Sequence, residues 1–171
     1  MDKKTRIITY SALFSALAVV SLYFASVWPT GLLGLVAFAS LFVAAAVIDM
    51  GIAPSIYVFA ASSALGMLIL PNKAAPILFI SFFGYYPIIK CLIEKIPRVS
   101  IQWILKLLAF NAALTIIWFF IRELAFGFVE NPPNIIVLYI ISSAVFALFD
   151  YGYTKVVWLY IDRVSKHIKK G

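Results

Sequence analysis

The chain has 171 residues, 64% of them hydrophobic and 12% charged, with a mean hydropathy of +1.05. Soluble domains run nearer half apolar and a quarter charged, and a globule of this size exposes too much surface to hide such an apolar load. The same composition excludes a disordered or nucleic-acid-binding chain despite the net charge of +7, and leaves an all-α integral membrane protein.

A helix crossing about 30 Å of hydrocarbon takes about 20 residues, and six apolar segments follow one another between turn signals. The first, residues 7–27, opens after Lys3, Lys4 and Arg6 and closes at Trp28-Pro29-Thr30-Gly31. It exceeds the roughly 7–15 residues of a signal-peptide core, and bulky Tyr23 spoils the cleavage point after Ala25, so it is expected to be retained. The second, 32–50, ends at Asp49-Met50-Gly51. The third, 52–70, has Pro54 in its first turn, where a missing N–H costs little, and stops at Pro71-Asn72-Lys73. The joint between these two is so short that they must form a tight antiparallel hairpin. The fourth, 75–93, runs into Glu94-Lys95-Ile96-Pro97-Arg98. The fifth, 101–126, precedes a loop from Gly127 to Pro133, and the sixth, 134–161, precedes a basic tail. The expectation is one six-helix membrane domain over 1–171.

Lysine and arginine near helix ends set orientation. With the amino terminus inside, the inner side holds Lys3, Lys4, Arg6, Lys90, Lys95, Arg98, Lys106, Lys155, Arg163, Lys166, Lys169 and Lys170, twelve against Lys73 and Arg122 outside. Both termini are therefore expected in the cytoplasm of a prokaryotic cell. Lys106 and Lys155 lie about one turn inside their helices and are read as anchors snorkelling to the headgroups. The tail from Arg163 to Lys170, which includes His167, suits an anionic lipid surface. Tyr23, Trp28, Trp103, Trp158 and Tyr160 fall near the interfaces, as an aromatic belt does.

Catalytic signatures are missing from the sequence. It contains no Gly-x-x-x-x-Gly-Lys-Ser/Thr loop, no His-Glu-x-x-His and no cysteine–histidine cluster, which leaves no expected cofactor, metal or catalytic residue. Cys91, the single cysteine, cannot form an intrachain disulfide and reads as a small apolar residue. Without a nucleotide loop, any uphill transport must draw on an ion gradient or on partner ATPases. No repeated pair of broken segments suggests an inverted-repeat transporter.

Two constellations remain. The first helix carries Ser11, Ala12, Ser15 and Ala16, and its Ala-x-x-x-Ala spacing lets another helix approach closely, either a partner's or one of its own bundle. Ala44-Ala45-Ala46, Ala60-Ala61-Ser62-Ser63-Ala64 and Gly66 are expected to pack the bundle core. On the outer side, Trp28, Asn72, Lys73, Trp118, Arg122, Glu123, Asn131 and Asn134 join Phe79, Phe82 and Phe83, aromatic walls with a few polar groups, as a small-ligand pocket requires. Arg122 can clamp a carboxylate by its planar fork, or pair with Glu123 or a lipid phosphate. Asn111 and Asp150 lie deeper, where a polar group is costly. Asn111 suits a helix–helix hydrogen bond, and Asp150 a tyrosine or a lysine partner.

The run Lys4-Thr5-Arg6-Ile7-Ile8-Thr9-Tyr10-Ser11-Ala12-Leu13-Phe14-Ser15-Ala16-Leu17-Ala18 resembles the first helix of the substrate-binding S component of energy-coupling factor (ECF) transporters, with its Ala-x-x-x-Ala docking motif. The hairpin from Ala44 to Pro54 is similar to that family's second-to-third helix junction, with Ala53-Pro54 in place of the usual Gly-Pro. The resemblance extends to length, helix number and inside termini. It implies capture of a vitamin or other small organic nutrient from outside by the later helices and odd-numbered loops. It also implies docking through Ala12 and Ala16 on a transmembrane coupling protein that carries two ATP-binding cassette ATPases. A metal-binding member would offer amino-terminal histidines, and this chain has none, so an organic solute is expected; Arg122 and Lys73 favour an anionic one. A structural or scaffolding multi-span protein of the cell-shape type and a lipid-modifying enzyme or lipid carrier are the competing readings.

Overall fold

The computed structural model describes residues 2–126 and 134–165, with side chains left aside at Lys3, Pro29, 119–126, 164 and 165. Among the described residues all regular structure is helical, with no strand. Helix α1 spans Lys3–Val27, α2 Leu32–Met50, α3 Ile52–Ile69, α4 Ala74–Leu78, α5 Tyr86–Ile93, α6 Val99–Phe126 and α7 Ile135–Tyr160. Taken together, α4 and α5 make one candidate span, called here the fourth crossing, so six segments among the described residues are long and apolar enough to span a membrane. Their polar side chains are accommodated locally. The hydroxyls of Ser21, Ser62, Thr115 and Thr154 each donate to the carbonyl four residues earlier, at 2.7–2.9 Å, which satisfies them without water.

Turn chemistry fixes the ends. Pro29–Gly31 forms one 3-10 turn between α1 and α2. Between α2 and α3 stands Gly51 alone, at φ +91°, a backbone region that side chains resist. The C-terminal carbonyls of α3 are met by Lys73, whose Nζ donates to those of Met67 and Leu70, both at 2.7 Å. Asn72 accepts from the Ala74 amide at 2.9 Å, and its own backbone amide donates to Ser26 Oγ, also at 2.9 Å. These contacts gather the first and third turns at one end of the bundle, the turn end. At the other, the terminal end, Tyr160 Oη donates to Asp49 Oδ2 at 2.5 Å and Ser11 Oγ approaches Met50 Sδ at 3.8 Å. The start of α1, the end of α2 and the end of α7 therefore lie together.

The fourth crossing is broken, where the sequence predicted a continuous helix over 75–93. Phe79–Phe83 widens to a π-helical turn before α5 begins. Pro87 supplies the reason: it has no N–H to give the Phe83 carbonyl, and its ring crowds that group. Gly84 instead donates to the Phe79 carbonyl, five residues back, at 2.7 Å.

Two cores hold the bundle. Leu22, Val36, Val43, Val58, Leu70 and Phe79 bury the seam of α1–α4. Ala44, Phe82, Tyr86, Ala113, Phe146 and Tyr153 form a second, aromatic core around α5, α6 and α7. The expected packing role of Ala44-Ala45-Ala46 is met, since all three are buried and let α2 sit centrally. The neighbouring run behaves differently: Ser62, Ser63 and Gly66 face inward, whereas Ala60, Ala61 and Ala64 are exposed. Half of the fourth crossing is buried, against 11% of the fifth and of the sixth. Bundle exteriors carry large apolar side chains such as Ile8, Leu68, Ile140 and Leu148.

Candidate functional site

The spacing Tyr86, Lys90, Glu94 repeats every four residues and places all three on one face of α5 and its C-terminal cap. Asp150 and Thr154 take the same spacing on α7, and Lys106 stands in the second turn of α6. The three helices bring these groups to one point. Asp150 Oδ1 accepts from Tyr86 Oη and from Lys90 Nζ, and its Oδ2 accepts from Lys106 Nζ at 3.0 Å. Glu94 Oε1 accepts from Lys106 at 2.7 Å and pairs with Lys90 at 2.8 Å. Lys90 donates further to Thr154 Oγ1 at 2.9 Å. The result is a closed ring of two ammoniums and two carboxylates, alternating in sign and formally neutral.

Burial makes the ring expensive to assemble and more expensive to break. Both lysine side chains are 6% exposed and that of Asp150 3%, whereas Glu94 is 39% exposed. Removing ions from water is repaid only where geometry is good and other hydrogen bonds complete the site. Here each carboxylate meets both lysines, Tyr86 and Thr154 supply neutral contacts, and the Trp103 ring lies 5.7 Å from Lys106 Nζ. Aromatic rings pack the bundle side of the cluster. Phe146 stacks on Phe110 at 4.5 Å and meets Tyr86 edge-on at 5.6 Å. Tyr153 Oη donates to the Ser40 carbonyl at 3.1 Å and ties α7 to α2. Glu94, beyond the crossing, feels burial that raises its carboxyl pKa. Hydrogen bonds from Lys106 and Lys90 outweigh that effect and hold it below the ordinary carboxylate value.

Asp150 meets both a tyrosine and lysines, the two kinds of partner its position suggested. Asn111 Nδ2 likewise reaches Ser143 Oγ on α7, at 3.4 Å. Lys106 corrects the sequence reading. It does not snorkel outward, because Asp150 and Glu94 offer two carboxylates inside. Lys155 is exposed, with its ammonium 5.5 Å from the Tyr151 ring centroid. Sequence reasoning missed Tyr86, Lys90, Glu94 and Thr154. The available signal was the four-residue spacing combined with lysines inside apolar runs, a pattern spent on orientation instead.

The expected pocket residues are dispersed in role. Trp28 is exposed at the turn end, where Asn72 and Lys73 serve the helix ends described above. Phe79 and Phe82 are buried core, and Phe83 packs edge-on against Phe149 at 5.5 Å. Trp118 is half-buried, and Asn134 caps α7 by accepting from the Ile136 amide at 3.1 Å. The side chains of Arg122 and Glu123, and all of Asn131, lie outside the described residues. Ala12 and Ala16 are exposed on α1, whereas Ser15, Ala18 and Leu22 of the same helix turn inward. An apolar groove of about 370 Å³ opens between α1, α2 and α7, lined by Tyr10, Leu13, Phe38, Phe42, Val157 and Tyr160 among others. Among the described residues no cluster of histidine, cysteine or carboxylate side chains is arranged to hold a metal. Comparison with protein-family models, with curated proteins and with solved structures finds no match for this chain.

Proposed function

We propose that the chain is a multi-pass protein of a prokaryotic cell membrane, working as the solute-capture subunit of an ECF-type importer. In this reading it takes a small organic nutrient at the turn end, where Lys73 and Arg122 favour an anionic one. It docks through α1 on a membrane coupling protein that carries two ATP-binding cassette ATPases. The observation that carries the reading is the exposure of Ala12 and Ala16. In lipid, helices associate by close packing over small residues rather than by hydrophobic expulsion. An Ala-x-x-x-Ala stripe left off the internal seam is available to a second protein. Charge supports the inside placement of both termini: with Lys90 and Lys106 assigned to the buried ring, the count near the helix ends is still ten against two.

The test is co-purification. Ala12→Trp and Ala16→Trp fill the stripe on an exposed face, so folding is expected to persist with an unchanged melting temperature. Capture of the coupling protein and its ATPases is expected to fall by at least about tenfold, equivalent to about 1.4 kcal/mol. Undiminished capture by both variants would remove the docking reading.

A further inference from the structure

The ring is symmetric in charge but not in accessibility. Asp150 is sealed among Tyr86, Lys90, Lys106 and the aromatic core. Glu94 stands at the terminal end, just past the last turn of α5, and remains 39% exposed. It serves both ammoniums through one oxygen, Oε1, at 2.8 and 2.7 Å. A free carboxylate placed there could give one oxygen to each lysine. Without Glu94, two lysines and Asp150 leave one uncompensated positive charge at a partly open position. That is the electrostatic description of a site for one carboxylate.

We propose that Lys90 and Lys106 form a binding site for the carboxylate of a small organic acid, and that Glu94 occupies this site as an internal, displaceable substitute. Asp150 is the permanent counter-ion that keeps both lysines charged and close. Tyr86 and Thr154 orient Asp150 and Lys90. The incoming ligand exchanges one carboxylate for another, so the net charge of the buried cluster does not change on binding, and Glu94 passes to water. The exchange needs only the Glu94 side chain to rotate outward, since its backbone stays capped on the Lys90 carbonyl at 2.9 Å. The site is independent of docking through α1, and its failure would leave that reading untouched.

The probe is radiolabelled propionate, with propionamide as its uncharged counterpart, applied by equilibrium dialysis to the purified full chain in detergent. The wild-type protein is expected to bind propionate and not propionamide, weakly because the tethered Glu94 competes at high effective concentration. Glu94→Gln removes the competing charge and is expected to tighten propionate binding by at least about tenfold. Glu94→Asp, too short to bridge both lysines, is expected to move affinity the same way and serves should Glu94→Gln fail to fold. Lys106→Met is expected to abolish binding. Propionate binding to the Glu94 variants with none to wild type would overturn the proposal, because Glu94 would then be a fixed structural counter-ion. Equal binding of propionate and propionamide, or affinity unchanged by both Glu94 substitutions, would overturn it as well.

Discussion

Substituting Asp150 by asparagine would leave Lys90 and Lys106 with one carboxylate between them, inside the bundle. Breaking a buried ion pair from one side costs about 3–5 kcal/mol, and a loss of that order is expected in unfolding of Asp150→Asn in detergent. The double change Lys90→Met with Asp150→Leu removes one charge of each sign and leaves Lys106 paired with Glu94, so it is expected to recover much of that loss. Failure of the double variant to exceed the single one in melting temperature would contradict the ring. Glu94 makes the ring sensitive to acid. Its carboxyl is held below the ordinary value in the folded protein, so its contribution is fully present above the unfolded value of about 4.3. The contribution disappears as pH falls through the lower folded value. Melting temperature should therefore drop more steeply below about pH 4 in wild type than in Glu94→Gln. At this scale the sequence disclosed that Asp150 needed a partner, since an ionised group within an apolar segment always does. The partners lie 60 and 44 positions away along the chain, so the four-residue spacing marks a shared helix face on α5 but does not say that Asp150 meets it.

The fourth crossing shows how one helical element is shaped by its neighbours. A Cβ on Gly84 would come within 2.6 Å of two Phe59 ring carbons and 2.7 Å of Phe79 Cε1. Gly84→Ala is expected to displace those rings and cost about 1–3 kcal/mol, as overpacking does, with partial rescue by Phe59→Leu in a thermal melt. Gly51 differs, because a Cβ there meets nothing within 4 Å and only its φ of +91° resists a side chain. Gly51→Ala is expected to cost about 1–3 kcal/mol from backbone strain alone. Pro87 lies inside the fourth apolar run, and the sequence reading passed over it, although a proline there disturbs the preceding turn in any context. The inward packing of Phe79 and Phe82 was not legible, because it depends on rings of α3, α6 and α7. The same limit affected the candidate pocket: exposed walls and buried core draw on the same aromatic residues.

Across the whole molecule, α1–α3 form a body packed on small residues, while the later crossings are held by the ion ring and by aromatic stacking. Phe146 lies at the centre of the second core, against Phe110, Phe82 and Tyr86. Phe146→Ala is expected to destabilise by about 3–5 kcal/mol, measured as loss of the folded fraction on heating. The bundle places the turn between α3 and α4 and the turn after α5 at opposite ends. Single cysteines at Lys73 and Lys95, in a Cys91→Ser background, should separate under an impermeant thiol reagent on intact cells. Labelling is expected at position 73 alone; labelling at 95 alone would invert the proposed orientation.

The sequence by itself determined the number, order and approximate limits of the helices long and apolar enough to span a membrane, and their all-helical character. These follow from local quantities, because a span of apolar residues and a turn signal mean the same thing wherever the rest of the chain lies. Tertiary structure alone decided that Lys90 and Lys106 turn inward, that Glu94 closes a ring with Asp150, and that Ala12 and Ala16 stay on the outside. A lysine near a helix end has two acceptable destinations, headgroup or buried carboxylate. Only the three-dimensional meeting of α5, α6 and α7 supplies the carboxylates that make the second one favourable.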